Sequence, residues 1–256
     1  MSIGARSSEQ LRRALDAASF GTVCAALCSA LALLSVGCAD TTAIERGAAL
    51  FSEPSLSGSP TNAVSCANCH ATGAIPADWI PTGGSLAGVT LRPSFFGGGE
   101  LDLRAAINFC LRRFMRAPVV EPLSADDPRG LDLLSYLETL EVPAGTVAGE
   151  AVPWTLGSIA DDLPPGDATR GAVVWDLACR RCHGEPRTGA GRLFDAVAVL
   201  PDDTIEEHGA EARLRTIEKV RNGQFYEAGG DMAPFSIEAL SDQQLADVLA
   251  HLRLLN

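Results

Sequence analysis

Aromatic residues are scarce in this chain of 256 residues: Phe, Trp and Tyr together make up 5% of it. Few aromatic residues combined with many Ala, Leu and Gly disfavour a β-sandwich and favour short helices joined by Gly and Pro turns. A hydrophobic content of 46% excludes a disordered chain. We therefore expect an all-α protein, long enough for one or two domains.

Positive charge is also in short supply, because 20 Lys and Arg face 32 Asp and Glu and give a formal net charge of −12. An acidic surface argues against nucleic acid or anionic lipid as a ligand. The same surface would steer the protein toward a partner with a basic patch, although negative charge also serves solubility. We expect protein partners and no nucleic acid.

Charged residues are absent from positions 17–39, and this run follows Arg6, Arg12 and Arg13, as is typical of a signal peptide. Its end, Leu34-Ser35-Val36-Gly37-Cys38, resembles the lipobox of bacterial lipoproteins, in which the Cys is acylated. We predict that residues 1–37 are a signal peptide and that the protein is exported to the periplasm or cell envelope. The alternatives there are a lipid anchor at Cys38, ordinary secretion with cleavage near Cys38, or an uncleaved anchor. Removing 1–37 changes the charge from −12 to −13.

The part of the chain predicted to be exported does not contain an even number of cysteines. Of eight Cys, three belong to the signal and its cleavage point, and five remain: Cys66, Cys69, Cys110, Cys179 and Cys182. An odd number does not suit a disulfide framework. Four of the five fall into two identical patterns, Cys66-Ala-Asn-Cys69-His70 and Cys179-Arg-Arg-Cys182-His183, which both read C-x-x-C-H.

The spacing of C-x-x-C-H suits covalent attachment of haem. Two thiols on one helical turn can add across the two vinyl groups, while the adjacent imidazole reaches the iron. Zinc pairs lie closer together in sequence and would leave both His surplus. A thioredoxin-type dithiol needs a βαβ context that is not seen here. We predict two covalent haems c, with His70 and His183 as proximal iron ligands.

The two halves of the exported chain repeat one another. Each contains, in the same order, a Gly-bearing helix, the C-x-x-C-H motif, a Met loop, and a Ser that we predict to cap a terminal helix. The corresponding parts are 46–51 and 170–175, Met115 and Met232, Ser124 and Ser241, and the helices 130–140 and 242–254. We predict two tandem domains, 44–142 and 168–256, joined by a Pro/Gly-rich linker at 141–167.

This order of elements resembles class I cytochrome c across nearly the whole exported chain. The second half is the closer match, through Met232-Ala-Pro-Phe and the capped helix that follows. The resemblance implies that Met232 is the distal ligand of the second haem, and thioether ligation suits an electron carrier. Ala233 departs from the family pattern by separating Met232 from Pro234.

The distal ligand of the first haem has two candidates. Ile107, Cys110, Leu111 and Phe114 form an apolar stripe, so Cys110 faces inward on its helix. Residues 106–115 resemble the haem domain of sulfur-oxidising diheme cytochromes and bacterial thiosulfate dehydrogenases, in which a Cys in this setting ligates iron. The internal repeat instead selects Met115, and a free Cys also packs readily as a small hydrophobe. Cys110 and Met115 therefore both remain candidates for the distal ligand of the first haem.

These features predict electron transfer by a diheme cytochrome that needs no catalytic group. The alternative is an enzyme similar to thiosulfate dehydrogenase, which would oxidise a sulfur anion at a Cys-ligated first haem. Three arginines near Cys110 could bind such an anion, or could simply form a solvated helix face: Arg112, Arg113 and Arg116.

Overall fold

The computed structural model of the chain describes residues 41–119, 121–226 and 232–255. The predicted signal segment and Cys38 lie outside these ranges. The described residues form helices, turns and isolated bridges without any strand, which confirms the all-α prediction. No helix in the described ranges has the length and apolar character that crossing a membrane requires.

Helices of one to three turns follow one another along the chain. They are α1 Ala43–Phe51, α2 Cys66–Cys69, α3 Leu103–Arg113, α4 Pro128–Leu137, α5 Ala168–Val174, α6 Arg180–His183, α7 Asp202–His208, α8 Ala212–Asn222 and α9 Asp242–His251. A π-helical turn, Trp175–Cys179, joins α5 directly to α6. Short 3₁₀ turns lie at Pro54–Ser57, Val89–Leu91, Phe96–Gly98, Gly209–Glu211 and Gly223–Tyr226.

The terminal helices of the two halves begin differently. Ser241 caps α9 as predicted, because its hydroxyl accepts from the Gln244 N–H at 3.2 Å and the Gln244 side chain accepts from the Ser241 N–H. The prediction that Ser124 caps the other helix is wrong. Asp127 is the N-cap of α4, since Pro128 at the first helical position fixes the start there.

Replacing Ser241 with Ala should lower the free energy of unfolding by about 1 kcal/mol, because an N-terminal N–H of α9 loses its acceptor. The matched change Ser124→Ala removes an equally exposed hydroxyl that caps no helix, and should change the stability little. Denaturant titration of both variants measures the difference. Equal losses would contradict the assignment of the cap.

The first and last helices of each half cross in close contact. Gly47 of α1 lies against the backbone of Asp132 in α4, and Gly171 of α5 lies against the backbone of Asp247 in α9. A Cβ at either glycine would clash with a carbonyl oxygen of the facing helix. This close approach at a glycine is therefore present in both halves, and in the second half it also places His251 against α5.

At each of these crossings a bidentate ion pair joins the first helix of the half to the last. Arg46 donates from Nε and Nη2 to Asp132, both at 2.7 Å, and Arg170 donates in the same way to Asp247, both at 2.8 Å. Each arginine holds the pKa of its carboxyl partner below the usual value, chiefly through these hydrogen bonds. The internal repeat of the sequence is therefore also present in the structure, since both halves contain this ion pair at the same place.

Buried apolar side chains gather in two cores, one from residues 51–137 and one from residues 174–254. The contacts nevertheless join Thr42–Asn256 into a single unit, so the division into two domains at the predicted bounds stays a prediction. The connecting segment 141–167 packs against both halves. The Trp154 ring contacts those of Phe96 and Phe225, with 5.8 Å between centroids in both pairs, and Leu163 packs on the second core.

Candidate haem sites

The first C-x-x-C-H motif is one short helical turn whose N-terminus is tied by a side chain. In α2 (Cys66–Cys69), the amide oxygen of Asn68 accepts from the Ser65 N–H at 2.7 Å and from its hydroxyl at 3.0 Å. His70 leaves the helix with extended backbone, and its N–H donates to the Cys66 carbonyl at 3.0 Å. The turn presents two thiols and an imidazole side by side.

The His70 imidazole is enclosed by backbone. Gly83 lies so close that a Cβ there would clash with the ring, and the Gly83 N–H donates to the Cys69 carbonyl at 2.9 Å. Burial lowers the pKa of His70 to about 4, so the ring is neutral at pH 7. Its Nδ1 is buried without a hydrogen-bond partner among the described residues. A neutral imidazole is the form that binds a metal.

A cavity of about 760 Å³ opens beside the thiols of the first motif. Its walls are mostly apolar, and they include Cys66, Cys69 and His70 together with the inward face of α3. This volume lies in the range of small-molecule and cofactor sites. The thiols, the neutral imidazole and the apolar walls therefore fit a covalently attached haem.

The second motif is built differently, because the π-helical turn Trp175–Cys179 carries the chain straight from α5 into the motif. The Trp175 indole N–H donates to the Gly184 carbonyl at 3.1 Å. The His183 Nδ1 lies 2.9 Å from the Ala198 carbonyl, and since a carbonyl only accepts, Nδ1 carries the proton. That hydrogen bond fixes the tautomer and leaves Nε2 able to bind a metal, which also fits haem.

The five cysteine thiols that the structure describes all have raised pKa values and are therefore protonated at pH 7. Burial raises the pKa of Cys66 to about 11, and of Cys69 and Cys179 to about 12. Burial likewise raises the pKa values of Cys110 and Cys182. These are half-buried neutral thiols, unlike the low-pKa thiolate of a redox-active dithiol.

The two candidates for the distal position of the first site lie in the wall of this cavity. Cys110 and Met115 both line the cavity, as do Ile107, Leu111 and Phe114 of the predicted stripe. Met115 is buried and Cys110 is half-buried, and the cavity that both residues line is also lined by Cys66 and Cys69. The choice between Cys110 and Met115 stays open.

Met232 is partly buried and packs against the second core, as does Cys179 of the second motif. Its carbonyl lies against Gly223, where a Cβ would clash with the Met loop. Iron coordination by Met232, like coordination by His70 and His183, stays a prediction.

Several lining residues were not predicted from the sequence. Ala233 and Pro234 of the second half line the cavity of the first motif, and so does much of the segment 141–167. Arg92 also lines it, donating from Nη2 to the Ser85 carbonyl at 2.6 Å. The further donors of Arg92 can meet an anionic group of a ligand. No local pattern marks these residues, because only the packing of the two halves brings them to the cavity.

Across the described residues no group of three or more His, Cys, Asp and Glu side chains is arranged to hold a metal ion. A site built from several such residues of the two motifs, as zinc would require, is therefore not found in this part of the chain.

Residues 166–252 match the sequence family described as cytochrome c oxidase, cbb3-type, subunit III. The match covers less than half of the chain and contains Cys179, Cys182, His183 and Met232. No curated protein matches the chain in a sequence comparison. The matched region is a cytochrome c domain, which implies covalently bound haem c and supports a function in haem-based electron transfer.

Proposed function

We propose that the chain is an exported diheme cytochrome c that transfers electrons, with one haem attached at Cys66 and Cys69 and the other at Cys179 and Cys182. The observation that carries the proposal is the repetition of one arrangement. Each half offers two half-buried neutral thiols next to an imidazole whose lowered pKa keeps it neutral. The first of these arrangements faces an apolar cavity.

The residues of the chain have separable tasks in this function. The thiols anchor the cofactor and the imidazoles bind on the proximal side, where the Ala198 carbonyl orients His183. Apolar walls exclude water and so tune the potential. Met232 is the distal ligand of the second site, and Cys110 or Met115 that of the first. When bound, haem supplies a one-electron iron couple.

The remaining parts of the proposal concern location and partners. Export follows from the signal-like residues 1–37, with a lipid anchor at Cys38 as the attachment to a membrane. The net charge of −12 favours redox partners that dock through a basic patch.

Acid-acetone extraction of the mature protein tests the covalent attachment. We expect the colour to stay with the polypeptide and the haem assay to give two haems per chain, because thioether bonds survive extraction. Extraction of the colour into acetone, or one haem per chain, would overturn the proposed diheme function.

A second candidate function is oxidation of a sulfur anion at the first site, and one observation favours it. Cys110 faces the first motif from the cavity wall, and Arg112 and Arg113 on the same helix are exposed. If this function holds, thiosulfate should reduce the purified protein, and Cys110→Ala should lose the reaction while Met115→Leu keeps it. We expect no thiosulfate-dependent reduction in any of the three proteins, as fits a carrier. Rapid reduction lost only in Cys110→Ala would replace the carrier function with the enzyme.

A further inference from the structure

A run of five residues, Trp79–Gly83, follows the first motif in sequence and lies between the two haem sites. We call this run the bridge segment. At its C-terminal end, the Gly83 N–H donates to the Cys69 carbonyl at 2.9 Å. The Gly83 backbone also packs on the His70 ring. This end of the segment therefore touches the proximal side of the first site.

The N-terminal end of the bridge segment touches the second motif. The Ile80 N–H donates to the Leu177 carbonyl at 2.9 Å, two residues before Cys179. The Arg181 guanidinium, between the two cysteines of the second motif, stacks over the Trp79 indole at 4.2 Å. The side chain of Ile80 packs against the second core.

The middle of the bridge segment reaches the loop that follows Met232. The Thr82 hydroxyl lies 2.8 Å from the Pro234 carbonyl and 3.4 Å from the Ala233 carbonyl, and a hydroxyl donates to a carbonyl. One run of five residues thus contacts the proximal side of the first site and both the attachment turn and the Met loop of the second.

We propose that the bridge segment is the path by which an electron passes between the two haem sites, an inference that rests on the proposed diheme function. One electron leaves the reduced site and arrives at the oxidised site, and no bond changes and no proton moves. Trp79, Thr82 and Gly83 act as positioning residues, because their contacts hold the two sites at a fixed separation without rearrangement of the chain.

Exchange NMR of the half-reduced holoprotein tests this path, since the haem methyl signals of the two sites are resolved from each other. The exchange rate that does not depend on protein concentration is the intramolecular one. Thr82→Val should lower that rate severalfold, because the hydrogen bond that holds the bridge segment to the Met loop of the second site is lost. Thr82→Ser, which keeps the hydroxyl, should retain the rate of the unaltered protein.

Thr139→Val is the matched control, because the Thr139 hydroxyl donates to the Tyr136 carbonyl at 2.7 Å within the first half. It should leave the rate unchanged. Arg181→Gln, at an exposed position, removes the stacking on Trp79 without burying a new group and should also slow exchange. Midpoint potentials of both haems, measured in the same samples, show whether driving force has changed.

Equal rates in the unaltered protein, Thr82→Val and Arg181→Gln would overturn the proposed path. So would a slower rate that the change in potentials fully explains. A haem assay that finds one haem per chain would instead defeat the proposed function. If the protein holds two haems but shows no exchange rate that is independent of protein concentration, the proposed path is overturned and the proposed diheme function is not.

Discussion

The double variant Cys179→Ala/Cys182→Ala will hold one covalent haem instead of two, and the haem that remains will be at Cys66 and Cys69. Without sulfur in the second motif no thioether bond can form there, while the first motif lies on its own helical turn beside its own cavity. Mass spectrometry and haem staining of the denatured protein measure the loss of half the covalent haem.

Cys110→Ala is the matched control, because it removes a half-buried thiol outside both motifs. It should keep both covalent haems whichever ligand binds the first iron. Loss of both haems from the double variant would contradict independent attachment and would mean that the second half must bind haem before the first can do so.

Gly171→Ala should lower the free energy of unfolding by about 3 kcal/mol, an effect at the upper end for overpacking. The added Cβ would clash with the backbone carbonyl of Asp247 in α9. A helix backbone, unlike a flexible side chain, cannot move to relieve that clash. The change should lower Tm by roughly 10 °C. It should also weaken the ion pair between Arg170 and Asp247. Thermal unfolding followed by circular dichroism measures the shift.

Gly73→Ala serves as the control for this variant, since a Cβ at Gly73 would meet no heavy atom within 4 Å. Its effect on stability should stay within about 0.5 kcal/mol. A similar loss in both variants would show that the close crossing of α5 and α9 does not explain the result, because a Gly→Ala change that acts on the unfolded chain alone would raise the stability.

Local patterns in the sequence were sufficient to predict the first and last helices of each half, the helix that carries Cys110, and the repeat. The apolar stripe on α3 and the capping box of Ser241 follow from helical periodicity and from local hydrogen bonds. The prediction for Ser124 failed because it was carried over from the second half by the repeat. Asp127-Pro128 starts α4 three residues later, and that pair is itself a local start signal.

The ion pairs at the two helix crossings were present in the sequence but were not recognised. Arg46 and Arg170 occupy the same place in the repeated segments, and so do Asp132 and Asp247 in the terminal helices. Oppositely charged residues at corresponding positions of two repeats are a signal for a contact. Only the structure shows that each pair is bidentate.

The sequence by itself determined which residues are the candidates for haem attachment, because each C-x-x-C-H motif places two thiols and an imidazole within one helical turn and needs no distant residue to be recognised. It also determined the helical class and the repeated order of elements. Only the tertiary structure decided that Ala233, Pro234 and the segment 141–167 wall the cavity of the first motif, and that Trp79–Gly83 lies between the two sites. These contacts join residues up to about 150 positions apart, as between Thr82 and Pro234. They depend on how two helical halves pack, and no local periodicity or spacing encodes that packing.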